Sequence, residues 1–149
     1  MGNRIALLLA IVLTIMLTQN TSGQDLSVHK WKERILVVKS NEADNEVLQK
    51  QLEQFKGAEA GLKERKLVLY VIRDSEYDFV DYTADLNRED GQLKEGAIQR
   101  LFKSSKDFEV LLIGLDGGVK LRQTEILTRE ELFRTIDAMP MRRSERKNN

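Results

Sequence analysis

The chain has 149 residues, with 24 basic and 24 acidic side chains and no cysteine. The balanced charge argues against a general nucleic-acid binder, because such proteins use clustered cations to neutralise phosphates. The lack of cysteine excludes thiol redox chemistry, disulfides and thiolate metal sites, so burial has to supply the stability.

The first segment of the chain has the pattern of a secretory signal peptide. Arg4 precedes an apolar run from Ile5 to Leu17, and polar and small residues come after it. This run is shorter than the roughly 20 residues that a membrane span needs, which disfavours an uncleaved anchor. We expect residues 1–23 to be a signal peptide and residues 24–149 to be a single domain. The expected location is the bacterial periplasm or the extracellular space, with no stable membrane anchor after signal removal.

Two apolar runs predict buried strands in the first half of the domain. Residues 35–38 and 67–72 consist of Val, Ile, Leu and Tyr, which is typical of strands covered on both faces. Between them Leu48, Leu52 and Phe55 recur at helical spacing. The pattern predicts a strand, a helix and a parallel strand.

The middle of the chain has no clear period. Residues 74–91 mix acidic and aromatic side chains and are interpreted as a long connection. A short helix is predicted over 93–103, because Leu93, Ala97 and Leu101 form one apolar stripe.

The next segment predicts a hairpin, with strands over 108–114 and 119–124. Aspartate followed by glycine supplies the backbone torsions that a tight turn requires. The turn residues are Asp116, Gly117 and Gly118. On the return strand Lys120 and Arg122 alternate with apolar residues, which favours an edge strand.

The last helix has a defined start and stop. Thr128 can cap it while Glu131 reaches back, which forms a capping box. Met139 is expected to pack inward, and Pro140 forbids the helix from continuing. Residues from about 142 onward are expected to form a basic C-terminal tail.

The element order is strand, helix, strand, helix, strand, strand, helix. It predicts an α/β fold of the thioredoxin-like type, with a mixed four-stranded sheet between helices.

Two strings carry a resemblance to a known family. DFEVLLIGLDGGVKLR and LFRTIDAMPMRRSE resemble the thioredoxin-like domain of unknown function found in exported bacterial proteins and in sushi-repeat-containing and coiled-coil-domain-containing matrix proteins. The similarity covers most of residues 26–145, and residues 74–92 depart from it. The resemblance implies a thioredoxin-like fold and an exported location, without an established activity.

Few residues of the sequence fit the active sites of common enzyme classes. The position where a thioredoxin carries its nucleophile reads KSNEAD, residues 39–44, and holds no thiol. His29 is the sole histidine, so neither a paired-histidine metal site nor a histidine dyad can form. We expect no catalytic residue and no cofactor.

The acidic stretch offers a weak calcium candidate. Asp74, Glu76, Asp78 and Asp85 occupy positions 1, 3, 5 and 12 of a possible twelve-residue loop. Phe79 stands where such a loop needs glycine, so a solvated acidic loop is the favoured interpretation and no metal is predicted.

Basic residues near the end of the chain suggest a binding face. Lys120, Arg122, Arg142 and Arg143 would converge if the edge strand and the last helix lie close together. Arginine suits carboxylate, phosphate or sulfate, so this face would bind an acidic partner. The alternative is that Arg142 or Arg143 pairs with Asp137, whose charge near a helix C-terminus calls for a cation.

These observations favour an exported, non-catalytic interaction module whose partner is a protein or an acidic ligand. The alternatives are an enzyme that uses neither thiol nor metal, and a calcium-responsive binding protein.

Overall fold

The structure is a computed structural model that describes residues 25–41, 46–92, 100–102 and 105–148. The predicted signal peptide and most of the helix predicted over 93–103 lie outside these ranges. Within them, no helix has the length and hydropathy needed to cross a bilayer.

The described residues form a mixed α/β domain. The strands are β1 (Arg34–Ser40), β2 (Leu67–Arg73), β3 (Glu76–Asp81), β4 (Asn87–Gln92), β5 (Phe108–Ile113) and β6 (Val119–Gln123). The α-helices are α1 (Glu46–Glu53), α2 (Glu59–Glu64), α3 (Arg129–Asp137) and α4 (Pro140–Lys147), and a 3₁₀ helix spans Leu26–His29.

One sheet contains all six of these strands, in the order β4-β3-β2-β1-β5-β6. Strands β1 and β2 are parallel, and every other neighbouring pair is antiparallel. The four predicted strands are confirmed, and β6 lies at an edge as expected.

The prediction of a four-stranded sheet is wrong, because residues 76–92 form a hairpin that adds β3 and β4. Strand β3 pairs with β2 along its whole length, so that Phe79 lies opposite Tyr70. Strand β4 is exposed at five of its six residues and therefore carries no alternation of apolar side chains. Periodicity reports burial, so it gives no sign of a strand that gains its order from backbone pairing.

The sheet has a hydrophobic cluster on each face. Helices α1, α2 and α3 bury Leu48, Leu62 and Leu132 against one face. On the other face Leu101 and Phe102 pack against the cluster around Tyr70.

The helical pattern around residue 50 forms two short helices. After α1 the chain turns at Gly57, whose φ of +72° lies in the region that glycine adopts without strain. In α2 a Cβ on Gly61 would lie 2.8 Å from the Phe133 ring, so glycine permits α3 to pack closely here.

The cap predicted for α3 is confirmed. The Thr128 hydroxyl accepts a hydrogen bond from the Glu131 amide at 3.2 Å. Met139 is extended, with φ −67° and ψ 138°, and packs partly buried against the core.

The basic residues expected from about position 142 onward belong to a further helix, α4. Pro140 separates α3 from the C-terminal residues, but it also occupies the first turn of α4, where its missing N–H costs nothing and its fixed φ suits a helix. Residues from 142 onward are therefore helical up to Lys147.

Gln51 provides a test of how α1 is attached to the domain. Its fully buried amide donates to the Leu127 carbonyl at 2.9 Å and accepts from the Leu127 amide at 2.7 Å. Gln51→Ala should lower the free energy of unfolding by about 2–4 kcal/mol, because two buried backbone groups lose their partner. Urea denaturation measures this, and the exposed Gln49→Ala should change it by less than about 0.5 kcal/mol. Equal effects of the two variants would contradict the prediction.

Candidate functional site

The four calcium candidates do not form a loop. Asp74 lies in the β2–β3 turn, Glu76 and Asp78 lie in β3, and Asp85 lies in the β3–β4 turn. Asp78 forms an ion pair with Arg73. Within the described ranges, no three acidic or histidine side chains come together in an arrangement that could hold a metal ion.

Lys120 and Arg122 are each engaged by a neighbouring carboxylate. The Lys120 ammonium donates to Asp116 at 2.6 Å. This bond, together with one from the Gly118 amide, holds the pKa of Asp116 below its ordinary value. Arg122 forms an ion pair with Glu109, which is fully buried in β5.

Arg142 is a buried structural residue, with a side chain only 2% exposed. Its guanidinium forms an ion pair with Glu64, donates to the Glu64 carbonyl at 3.1 Å and donates to Asp137 at 3.3 Å. The neighbouring Arg143 is exposed. The predicted pairing of an arginine with Asp137 is therefore confirmed for Arg142.

The expected convergence of the four basic residues does not occur. Arg122 also donates to the carbonyl of Leu101, which packs against one face of the sheet. Arg142 instead contacts α2 and α3, which pack on the opposite face.

Two further arginines join Arg142 at the start of β1. Arg65 donates to Asp137 at 2.6 Å, and its guanidinium lies 4.0 Å from the centroid of the Phe133 ring. Arg34 is fully buried and donates to the Arg65 carbonyl at 2.9 Å and to Glu145 of α4 at 3.3 Å. We call this group the arginine cluster: Arg34, Arg65 and Arg142 with Glu64, Asp137 and Glu145.

Electrostatics within the arginine cluster favour the ionised forms of the Asp137–Arg142 pair. Burial by itself raises the pKa of Asp137, but the hydrogen bonds from Arg65 and Arg142 outweigh it and hold that pKa below its ordinary value. Burial lowers the pKa of Arg142, and the bonds to Glu64 and Asp137 more than reverse this effect. The cluster is an internal joint between β1, α2, α3 and α4.

His29 forms a second polar contact with the core. One ring nitrogen lies 2.8 Å from the Tyr70 hydroxyl and the other lies 3.1 Å from the Glu33 carboxylate. The side chain also stacks obliquely near Phe79, with ring centroids 5.8 Å apart. Because both nitrogens are engaged and the residue is 8% exposed, His29 attaches the 3₁₀ helix to the sheet.

Trp31 combines an exposed aromatic side chain with an unusual backbone conformation. The sole tryptophan of the chain is 62% exposed and has a φ of 67°, which places it in the left-handed region. Its amide donates to the Leu115 carbonyl at 2.7 Å, and the Lys30 ammonium lies 5.6 Å from the ring centroid. Val28, at 52% exposure, belongs to the same short segment. We call Val28, Lys30 and Trp31 the Trp31 surface.

A cleft of about 310 Å³ adjoins this surface. Its walls include the apolar side chains of Leu26, Ile35 and Ile113. Lys30 also lines it, and the aliphatic part of that side chain lies 3.7 Å from where a Cβ on Gly117 would sit. The β5–β6 turn predicted from the sequence therefore forms one wall of the cleft.

A sequence model of a family described as a domain of unknown function (DUF4174) matches residues 25–145. The chain belongs to the DUF4174 family. No curated protein and no solved structure gave a significant match. The family membership confirms that part of the resemblance found in the sequence.

The DUF4174 match includes both the arginine cluster and the Trp31 surface. Of the six members of the cluster, only Asp137 and Arg142 were identified from the sequence; the missed members are Arg34, Glu64, Arg65 and Glu145. The position of Arg34 directly before the apolar run of β1 was the available sign, because a charge at the border of a buried strand requires a partner.

Arg142 of the arginine cluster and its exposed neighbour Arg143 form a matched pair for mutagenesis of this DUF4174 domain. Arg142→Ala should lower the free energy of unfolding by about 2 kcal/mol, because it removes a buried guanidinium that pairs with Glu64 and Asp137 and leaves the space of its side chain unfilled. Arg143→Ala removes an exposed charge and should change that energy by less than about 0.5 kcal/mol. Chemical denaturation distinguishes them, and an unaffected Arg142→Ala protein would show that the pairing is not stabilising.

The lowered pKa of Asp137 predicts a dependence of stability on pH. A carboxyl group whose pKa is lower in the folded state stabilises it above the unfolded pKa of about 4, and this stabilisation disappears as pH falls through the folded pKa. Asp137→Asn should therefore flatten the loss of stability as the pH falls below about 4. Melting curves across this range measure the effect. Asp85→Asn, which changes a side chain 99% exposed, is the control that should keep the slope of the parent protein.

Proposed function

We propose that this DUF4174 domain is an exported, non-catalytic, thioredoxin-like interaction module that binds a partner protein through the Trp31 surface. The observation that carries the proposal is the conformation of Trp31, a large exposed aromatic residue held at positive φ. Aromatic anchors of this kind dominate the binding energy of many protein interfaces.

Folding alone gives no reason for a tryptophan at position 31. A residue with a Cβ loses about 1–2 kcal/mol in the left-handed conformation, whereas glycine adopts it readily. The exposed ring recovers little of this loss through burial within the domain. Strain that packing does not explain is typical of binding sites, where the surrounding structure holds a side chain ready for its partner.

The contacts around Trp31 support a preorganised surface. Its backbone is tied to Leu115 by a 2.7 Å hydrogen bond, and the preceding 3₁₀ helix is attached to the sheet through His29 and Tyr70. A rigid anchor loses little conformational freedom on binding, which favours affinity.

The position of this surface separates it from the site that thioredoxins use. Trp31 precedes β1, whereas the thioredoxin nucleophile position comes at the end of β1, at residues 39–44. A seven-residue strand spans about 20 Å, so the two positions lie at opposite ends of β1. The thioredoxin-like assignment is supported by the predicted order of strands, and export is supported by the pattern of residues 1–23.

The non-catalytic assignment is supported by what the buried polar side chains contact. His29 is hydrogen-bonded through both ring nitrogens, and the buried Glu109 and Arg142 are held in ion pairs. These groups stabilise the fold in the described part of the chain.

Replacing Trp31 should separate binding from stability. Trp31→Gly should leave the free energy of unfolding unchanged or raise it by about 1 kcal/mol, since glycine relieves the positive φ. It should also remove partner capture. For detection, a photoreactive residue at Val28 should crosslink one partner protein in the exported compartment, and this adduct should disappear when Trp31→Gly is present.

Two controls accompany the crosslinking. Leu86→Gly makes the same backbone change at another exposed apolar residue, with φ 59°, and should keep the adduct. A photoreactive residue at the exposed Arg134 of α3 should not form it. An adduct that persists in the Trp31→Gly chain, or that forms equally from position 134, would refute the proposed surface.

A further inference from the structure

The open edge of β4 is a second surface whose structure points to a ligand. Among the described strands, β4 pairs only with β3, and none of them lies on the opposite side of β4. All six of its residues pair with β3 without a register shift. The other edge of the sheet differs, because β6 is shorter and has a register irregularity beside Ile113. An exposed, regular edge strand offers backbone hydrogen-bonding groups to any extended chain.

The side chains around this edge are strongly acidic. Residues 76–92 hold six acidic residues and one basic residue, a net charge of about −5, in a chain that is neutral overall. Asp78 is paired with Arg73, and within the described ranges no ion pair forms at Glu89 or Asp90. The effect of these two carboxylates is visible on Tyr77, whose pKa is raised by burial and further by Glu89 and Asp90.

The extended backbone of β4 is supported from the neighbouring strand by Tyr77. The Tyr77 side chain lies over its directly paired neighbour Gly91, where a Cβ would lie 2.8 Å from the phenol oxygen. An aromatic ring placed over a glycine on the neighbouring strand stabilises the extended backbone at that point. Strand β4 also has no proline and no lysine, two residues that commonly block edge pairing.

We propose that β4 binds an extended, basic segment of a partner protein by strand addition, with Glu89 and Asp90 recognising adjacent cationic side chains. Neighbouring residues of a strand point to opposite faces, so Glu89 and Asp90 lie on different faces of the sheet. A complementary segment therefore carries two consecutive basic residues, one for each face. A second copy of the chain fits less well, because pairing two β4 strands antiparallel about their centre places either Glu89 or Asp90 opposite its own copy, and like charges in that position repel.

This inference concerns a surface other than the Trp31 surface and does not depend on it. The probe is the synthetic peptide Thr-Val-Lys-Arg-Val-Thr, added to the full chain. It should bind with an affinity that falls as salt is raised, and it should slow hydrogen exchange of the amides in residues 87–92. Trp31→Gly should bind the peptide as the parent chain does.

Two variants and one altered peptide make the experiment decisive. Glu89→Gln together with Asp90→Asn should weaken binding at least tenfold. Glu125→Gln together with Glu130→Gln removes two exposed charges near α3 and should change binding less than twofold. A peptide of equal charge with proline in place of both valines lacks the backbone N–H at two positions, one of which faces β4 in either register, and should bind at least tenfold more weakly.

Three results would overturn the inference. Equal binding of the proline peptide would show that charge attraction alone accounts for the interaction. Unchanged exchange in residues 87–92 would place the peptide elsewhere. A dimer of the peptide-free chain with protected β4 amides, seen by sedimentation and exchange, would make a second copy the occupant.

Discussion

The arrangement of the domain depends on how the start of β1 is joined to the C-terminal helices. Arg34, Arg65 and Arg142 bring their guanidinium groups to three carboxylates that belong to α2, α3 and α4. The chain has no cysteine, so no disulfide can hold α4 in place. Helix α4 contributes no residue to either hydrophobic cluster of the described residues, and its attachment rests on Arg142, Glu145 and the adjacent Met139.

Burial of the arginines increases the contribution of the arginine cluster to the stability of the domain. Exposed ion pairs contribute little, because water and salt screen them. Arg34 and Arg142 are both withdrawn from water, and each donates to a backbone carbonyl as well as to a carboxylate. Removing one member leaves the others without a partner, so the cluster acts as a unit in specifying how the helices dock.

The two proposed surfaces are exposed, whereas the charges near the helix ends are paired within the domain. Charged side chains near the helix ends pair with one another inside the domain. Arg142 is one of them, so it does not contribute to the basic binding face that was expected. Two features of the described residues stay open to a partner, an aromatic side chain before β1 and the backbone edge of β4. Each is presented by a rigid neighbour: the Leu115 carbonyl for Trp31, and the full length of β3 for β4.

The sequence by itself determined the buried elements. Apolar runs identified β1, β2 and β5, and an aspartate–glycine pair identified the turn before β6, because these signals depend on neighbouring residues alone. The start of α3 was predictable for the same reason, since Thr128 and Glu131 belong to one turn of helix. Only the tertiary structure decided the strands β3 and β4, the helix after Pro140 and the burial of Arg142. Each of these depends on partners distant in the chain, such as Glu64 for Arg142 and β2 for β3, and no local pattern records them.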